Sequence, residues 1–167
     1  GLGIPAEPLF RSASLNDILK DKTNRNVKNE REVTIVVKSV NQGLNCRWYA
    51  GSGIYRHVWL ETTGKLHLDE WDTYVDASDV VGKKANVKVS AKVFGQTNGS
   101  VKVDIMNKEG QIVATSSKSF TSNEDKVSVE ITVKSANLWS DIAPYRYKAR
   151  ISLFDAQGET DALTIPF

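Results

Sequence analysis

The chain has 167 residues, and 40% of them are hydrophobic, which is enough for one larger or two small globular domains with buried cores. Its 22 Lys and Arg nearly balance its 20 Asp and Glu, and the net charge of +2 is spread without the basic stripe that nucleic-acid binding requires. No apolar run approaches the roughly 20 residues of a membrane-spanning helix, and the chain's start lacks a signal-peptide pattern. We therefore expect a soluble protein that binds neither nucleic acid nor membrane, with a periplasmic or secreted location favoured over the cytoplasm.

The first half of the chain is predicted to begin with a loop and one short helical turn. Ser14 can cap this helix, and Asp17 follows three residues later, before Ile18 and Leu19. From residue 33 onward the hydrophobic period is two, and the apolar runs are bounded by Gly, Asn or Ser. These runs predict β-strands at residues 33–40, 54–61 and 65–77.

The second half alternates apolar and polar residues more cleanly. Strands are predicted within residues 85–95, 99–116, 125–135 and 145–161, with turns at 108–110 and 157–158. The side chains predicted to face inward are Val87, Val89, Ala91, Val93, Val101, Val103, Ile105, Val127, Val129, Ile131, Val133, Tyr145, Tyr147, Ala149, Ile151 and Leu153. Short strands without intervening helices predict an all-β fold of the sandwich type.

A polar, glycine-containing joint at residues 78–86 predicts a domain boundary near residue 80. Residues 81–167 have the length of an immunoglobulin-like β-sandwich, although they lack that fold's paired cysteines. Residues 1–80 offer only three or four strands, which would leave strand edges open. We therefore expect a homo-oligomer formed through these edges.

No metal or cofactor is expected. The chain has a single cysteine, Cys46, which cannot form an internal disulfide. With only His57 and His67 beside it, no zinc ligand set can be assembled by spacing. A nucleophilic Cys46 would need a partner base that no second motif supplies, so a buried inert thiol is the preferred interpretation.

The most crowded segment of the sequence spans residues 45–61. As a strand, residues 54–61 would place Arg56 among aliphatic side chains and Tyr55, His57 and Trp59 on the opposite face. Neither face resembles a plain solvated surface, so each is expected to be covered by another layer. A buried Arg56 would need a carboxylate or carbonyl partner, because an unpaired buried charge is costly.

The residues just before this strand are candidates for ligand contact. Asn45, Arg47, Trp48 and Tyr49 lead into a glycine-rich loop, and an aromatic ring flanked by an amide and a guanidinium suits sugar recognition. The alternative is that the two aromatic rings simply cover the edge of a core. Spacing alone favours this packing interpretation.

The same segment resembles a known family. RWYAGSGIYRHVWL, residues 47–60, is similar to the signature near the end of the sugar-binding jelly-roll domain of glycoside hydrolase family 2, which includes β-galactosidases, β-glucuronidases and β-mannosidases. Residues 14–45 are similar to the strand that precedes this signature, with extra residues at 21–29, and residues 67–78 resemble the strand that leaves the domain. The matching structural residues are Gly51, Gly53, Tyr55, Arg56 and Trp59.

A second motif resembles the same family in the same order. Residues 136–167 are similar to the end of the family's immunoglobulin-like domain. The positions that match are Trp139, Pro144, Tyr145, Asp155, Gly158 and Asp161. The resemblance implies that residues 1–80 are the C-terminal part of a galactose-binding-like jelly roll and residues 81–167 an immunoglobulin-like sandwich.

The resemblance implies a parent enzyme, a retaining β-glycosidase with two glutamates on a (β/α)8 barrel that lies outside this chain. No catalytic residue is assigned here. The barrel of the same protein is the expected partner, any carbohydrate binding by the isolated chain is expected to be weak, and Asn45, Arg47, Trp48 and Tyr49 are candidates for the substrate rim or the domain interface. The alternative is a free-standing two-sandwich module that binds carbohydrate or protein.

Overall fold

The computed structural model describes residues 38, 53–54, 56–95 and 97–167. The chain divides into two compact units, residues 1–58 and 59–167, and the described strands all belong to the second. The helix predicted after Ser14 and, apart from residue 38, the strand predicted at residues 33–40 lie outside the described residues. No described residue belongs to a helix that could span a membrane.

Eight strands form the second unit, and the described part of the chain contains no helix, so the all-β prediction is confirmed. In chain order the strands are β1 His67–Leu68, β2 Tyr74–Val81, β3 Lys84–Phe94, β4 Gly99–Met106, β5 Ile112–Phe120, β6 Lys126–Val133, β7 Lys148–Asp155 and β8 Gly158–Pro166. All pairings are antiparallel.

The strands form two sheets that pack face to face. In the first sheet β3 lies between β2 and β6, and β1 pairs with the end of β3. The second sheet has the order β5-β4-β7-β8. β1 and β2 lie on opposite sides of β3, and from β2 onward consecutive strands pair as hairpins within a sheet or cross from one sheet to the other, as in other β-sandwiches.

The core between the sheets is built from the alternating residues that the sequence singles out. Val89, Val103 and Ile151 have no exposed surface, and the inward aliphatic residues of β3, β4, β6 and β7 are all buried. Tyr147 is buried as well, whereas Tyr145 is only half-buried at the edge of the core. Because period-two alternation places one face of each strand inward, the predicted inward set is confirmed apart from the partial exposure of Tyr145.

Both predicted hairpin turns are present. Between β4 and β5, the Asn107 side chain accepts a hydrogen bond from the Gln111 backbone N–H at 2.8 Å, and Gly110 adopts φ 82°. Between β7 and β8, one Asp155 carboxylate oxygen accepts the backbone N–H groups of Gln157 and Gly158. A positive φ strains side chains with a Cβ atom, so glycine fits the first of these turns.

The single strand predicted at residues 65–77 is divided into β1 and β2. Between them, the Asp69 carboxylate accepts a hydrogen bond from the Trp71 N–H at 3.0 Å. Thr73 is buried, and its hydroxyl accepts a hydrogen bond from the Lys92 N–H at 3.3 Å. These side chains take the place of backbone ladder partners, which interrupts the strand.

The strand predicted at residues 54–61 is not a strand among its described residues. Residue 54 and residues 56–61 have no strand pairing, and Val58, Trp59 and Leu60 are 74%, 83% and 75% exposed. The side chain of Arg56 is also exposed, so the prediction that both faces are covered is wrong here. An alternating pattern forms a strand only where a neighbouring strand supplies ladder hydrogen bonds.

The predicted boundary near residue 80 lies inside β2, whose pairing with β3 extends from Tyr74 to Val81. The sheet therefore continues across this position, although the joint does contain a tight turn, with Gly82 at φ 60°. The assignment of residues 1–80 to a jelly roll and of 81–167 to a separate sandwich stays a prediction.

Asp161 connects the start of the first sheet to the edge of the second. One carboxylate oxygen accepts the Leu68 N–H at 2.8 Å, and the other accepts the N–H of Ala162 at the same distance. Asp161 lies opposite the buried Leu153 on β7, so its carboxylate is held at the margin of the core. It thereby provides the acceptor for a backbone donor of the short strand β1.

We expect Asp161→Ala to lower the free energy of unfolding by about 1 to 3 kcal/mol, because the buried Leu68 N–H loses its acceptor. Amide exchange should accelerate at Leu68. The exposed Asp141→Ala is the control and should change stability by no more than about 0.5 kcal/mol in urea unfolding. An unchanged rate of amide hydrogen exchange at Leu68 would contradict the role of Asp161 as the acceptor for this amide.

Candidate functional site

Part of the predicted site lies outside the described residues. This holds for the four rim candidates and for two of the signature positions. They are Asn45, Arg47, Trp48, Tyr49, Gly51 and Tyr55. Their assignment stays a prediction.

The other signature residues of the first motif lie in an exposed stretch. Gly53 has φ 153° with open space around its Cα, and Arg56 and Trp59 are exposed. The residues near the second motif, by contrast, come together in the connection between β6 and β7. We call this connection, residues 134–147, the crossover loop, because it passes from one sheet to the other.

The crossover loop presents large apolar side chains to solvent. Leu138, Trp139 and Ile142 are 50%, 65% and 92% exposed, and Pro144 is exposed as well. A single exposed apolar residue is ordinary on a protein surface, but a cluster within one short loop is typical of an interaction site.

The loop is held to the sandwich at its beginning. The buried Ala136 donates its N–H to the Lys83 carbonyl at 2.8 Å. The next amide, that of Asn137, donates to the hydroxyl of the buried Tyr147 at 2.8 Å. The Lys83 carbonyl belongs to the turn between β2 and β3, and the Tyr147 ring belongs to the core, so the beginning of the loop is fixed to the sandwich at two points.

The tip and the end of the loop are also held in place. The Ser140 hydroxyl accepts the Ala143 N–H at 3.0 Å, which closes a tight turn. The Tyr145 ring packs 5.0 Å from the ring of Tyr147, and its hydroxyl accepts the Lys108 N–H at 3.4 Å. The loop therefore offers its apolar side chains on a frame that is already folded, which lowers the entropy lost on docking.

A second cluster combines carboxylates and lysines at one end of the first sheet. Asp72 lies 3.1 Å from the Lys126 ammonium and 3.5 Å from that of Lys92, and Asp69 lies 3.3 Å from Lys92. The hydrogen bond that Lys126 donates to Asp72 lowers the pKa of Asp72, and the hydrogen bond that Lys92 donates to Asp69 raises the pKa of Lys92. A general acid must keep its proton near neutral pH, so Asp72 is unsuited to that role.

A third cluster lies on the outer face of the second sheet, around the buried carboxylate of Asp104. It accepts a hydrogen bond from the Thr115 hydroxyl at 2.6 Å and pairs with the Lys102 ammonium at 2.8 Å. Burial raises the pKa of Asp104, but these two donors outweigh burial and bring the pKa below its ordinary value. Arg150, opposite Asp104 in register, forms a two-pronged pair with Glu159 at 2.7 and 3.1 Å.

Within the described ranges, no group of three or more His, Cys, Asp or Glu residues is placed to hold a metal ion. His67 donates one hydrogen bond from Nδ1 to the Gly64 carbonyl, 3.0 Å away, and its ring lies 5.1 Å from that of Phe94. These contacts favour a packing role for His67. The polar clusters of the sandwich are thus internally paired, and the exposed apolar loop is the candidate site.

A family model described as "Glycosyl hydrolases family 2" matches residues 66–165, which include β1 to β7, the crossover loop and all but the last residue of β8. This match covers more than half of the chain. The chain belongs to glycoside hydrolase family 2.

Curated relatives agree with the family 2 assignment. The chain is 35% identical over 129 residues to a β-galactosidase of Bacteroides ovatus and 30% identical over 110 residues to a β-galactosidase of Halalkalibacterium halodurans. These alignments cover 73% and 64% of this chain. They cover only 15% and 10% of the two relatives, so the chain corresponds to a small part of each.

Solved structures give the same result for the fold. A family 2 member from Bacteroides cellulosilyticus superposes with a TM-score of 0.67 at 32% identity, over 75% of this chain and 17% of that one. A β-glycosidase from Bacteroides vulgatus superposes with a TM-score of 0.63 at 24% identity, over 72% of this chain and 15% of that one, which supports the fold alone. The predicted membership of glycoside hydrolase family 2 is thus confirmed.

Sequence reasoning identified Trp139, Pro144 and Tyr145 in this family 2 domain but missed Leu138 and Ile142. The signal was present, because two large aliphatic residues in a polar connection have no role in a strand. Asp104 was missed too. Its position in a run of alternating residues suggested an ordinary outward side chain, and its burial depends on neighbouring strands.

We expect the stability difference between the wild type and Asp104→Asn to depend on pH. Because the folded-state pKa of Asp104 is lowered, its contribution is complete above the ordinary value of 3.8 and disappears as pH falls through the folded value. Urea unfolding at a series of pH values should show wild type more stable by about 1 kcal/mol at neutral pH. The difference should shrink below pH 3.8.

The exposed Glu109→Gln is a control that should follow the wild-type acid transition. A stability difference for Asp104→Asn that is constant from neutral to acid pH would show that the charge of Asp104 contributes nothing.

Proposed function

We propose that this chain is a non-catalytic region of a larger family 2 β-glycosidase, and that the complete enzyme is a β-galactosidase. In this role the sandwich supports the catalytic barrel of the same protein and helps to position the rim of its substrate site. Two relatives that share 30% or more identity with the chain are named β-galactosidases, which favours this activity over other β-glycosidase activities.

The proposal depends on one observation above all, the apolar crossover loop. Trp139 and Ile142 remain exposed although the loop around them is held by Tyr147 and by the Ser140 turn. A loop that is already held in place loses little entropy when its exposed side chains dock against another domain. Tryptophan is enriched among the residues that contribute most to such interfaces.

The assignment of residues to the substrate rim depends on the resemblance of residues 47–60 to the family signature. Asn45, Arg47, Trp48 and Tyr49 combine an amide, a guanidinium and two rings, a set that can contact a sugar and its hydroxyl groups. We assign them to the rim or to the domain interface. The chemistry of bond cleavage is assigned to the barrel.

The first test compares the 167-residue chain with the protein encoded by the complete reading frame. The complete protein should hydrolyse 4-nitrophenyl β-D-galactoside, and the 167-residue chain should show no turnover. Turnover by the purified chain, with contaminating enzyme excluded, would overturn the non-catalytic role. A reading frame that ends at Phe167, together with glycan or protein binding by the chain, would favour the free-standing module instead.

The second test substitutes Trp139 by alanine in both proteins. In the 167-residue chain the indole is largely exposed, so the free energy of unfolding should change by no more than about 0.5 kcal/mol. In the complete protein, loss of a docked indole should cost about 2 kcal/mol or more. We also expect a lower kcat there, because the barrel loses part of its support.

The matched control is Trp71→Ala, which removes an indole that is 70% exposed on the segment between β1 and β2. It should have a small effect in both proteins. Equal effects of Trp139→Ala in the chain and in the complete protein would argue against docking of the crossover loop.

A further inference from the structure

A small groove crosses the outer face of the first sheet, next to the cluster of lysines and carboxylates. We call it the sheet groove. Its volume is about 110 Å³, and it is lined by Asp72, Tyr74, Ser90, Ala91, Lys126, Val127 and Ser128. Neither the family match nor the crossover loop explains this feature.

The floor and one wall of the sheet groove follow from strand register. Tyr74 on β2 lies opposite Ser90 on β3, and Ser90 lies opposite Ser128 on β6. Their neighbours Val89 and Val129 are buried, so these three side chains point to the outer face. The two small serines lie beside the Tyr74 ring and the Lys126 side chain, which leaves a depression in the sheet face.

The Ser128 hydroxyl is buried and has no hydrogen-bond partner among the described residues. Buried hydroxyl groups are normally paired, and an unpaired one is unfavourable. Lys126 and Tyr74, which line the groove together with Ser128, have exposed side chains, at 66% for Lys126 and 57% for the tyrosine. A ligand hydroxyl that reached Ser128 would provide the missing partner.

The charges around the groove favour a neutral ligand. Lys92 and Lys126 supply two positive charges, and Asp69 and Asp72 balance them with two negative charges through the ion pairs described above. A charged ligand would have to displace one of these partners. A ligand with several hydroxyl groups can instead donate to a carboxylate and accept from an ammonium while the ion pairs stay intact.

The Tyr74 ring adds an apolar contact. Because the ring is exposed beside the serines, it can pack on the C–H face of a ring-shaped ligand, while polar groups of the groove bind the ligand's edge. We propose that the sheet groove binds one neutral pyranose unit of a carbohydrate. The sheet groove lies on the outer face of the first sheet, so sugar binding there does not require that the chain be an accessory region.

The test is an NMR titration of the ¹⁵N-labelled 167-residue chain with lactose and with methyl β-D-galactopyranoside. Saturable shifts are expected at the amides of Ser90, Lys126 and Ser128. A single pyranose has few atoms, so the dissociation constant should be about millimolar.

Three variants examine the contacts. Tyr74→Ala should weaken binding by about fivefold or more, whereas Tyr74→Phe keeps the ring and should stay within about twofold of the wild type. Ser128→Ala should weaken binding by roughly twofold to fivefold without loss of stability, because its hydroxyl has no hydrogen-bond partner among the residues that the structure describes. Thr132→Ala, on the same strand and outward like Ser128, is the matched control and should leave binding unchanged.

Three results would overturn the proposal. The first is the absence of saturable shifts at these amides with both sugars. The second is equal shifts with glycerol, which would indicate adsorption of any small polyol. The third is tighter binding of glucuronate than of the neutral galactoside, which would contradict a neutral ligand. None of these results bears on turnover by the complete protein, so the outcome is independent of the activity test.

Discussion

Burial of the alternating face of β3 is the constraint on which the rest of the sandwich depends. Val87, Val89, Ala91 and Val93 have at most 3% exposure, and the same strand pairs with β1, β2 and β6. A register slip by one residue would turn lysines inward, so the alternation fixes the pairing of all three neighbours at once. Truncating a buried aliphatic residue in such a core typically costs about 1 to 5 kcal/mol. This register also determines the geometry of the sheet groove and of the crossover loop.

Two of these features use the register in different ways. The sheet groove exists because Tyr74, Ser90 and Ser128 are brought into one row across three strands. The crossover loop exists because β6 and β7 belong to different sheets, so the chain must cross the end of the sandwich between them. In the first case function would reside on a sheet face. In the second it would reside on a connection, where backbone groups need local partners and Tyr147 provides one.

The sequence was informative where structure is decided by neighbours along the chain. Alternation predicted the core, and Gly110 and Gly158 marked turns that the structure contains. It was uninformative where structure depends on residues distant in sequence. The break between β1 and β2 rests on Thr73 meeting the backbone of Lys92, and no local pattern reports that contact. The exposed Trp59 illustrates the same limit, because a strand pattern predicts faces but cannot show which layer covers them.

Two residues of the second sequence motif, Asp161 and Trp139, have different roles in the structure. Asp161 lies in the second motif, and its carboxylate binds the Leu68 amide across the end of the sandwich, so its role is structural. Trp139 lies in the same motif, yet 65% of its surface is exposed, so the sandwich alone leaves most of this residue uncovered. A shared motif thus combines a residue that the fold needs with one that the fold leaves available. For Trp139, a role outside the sandwich accounts for a large apolar side chain on a loop that is otherwise held by hydrogen bonds.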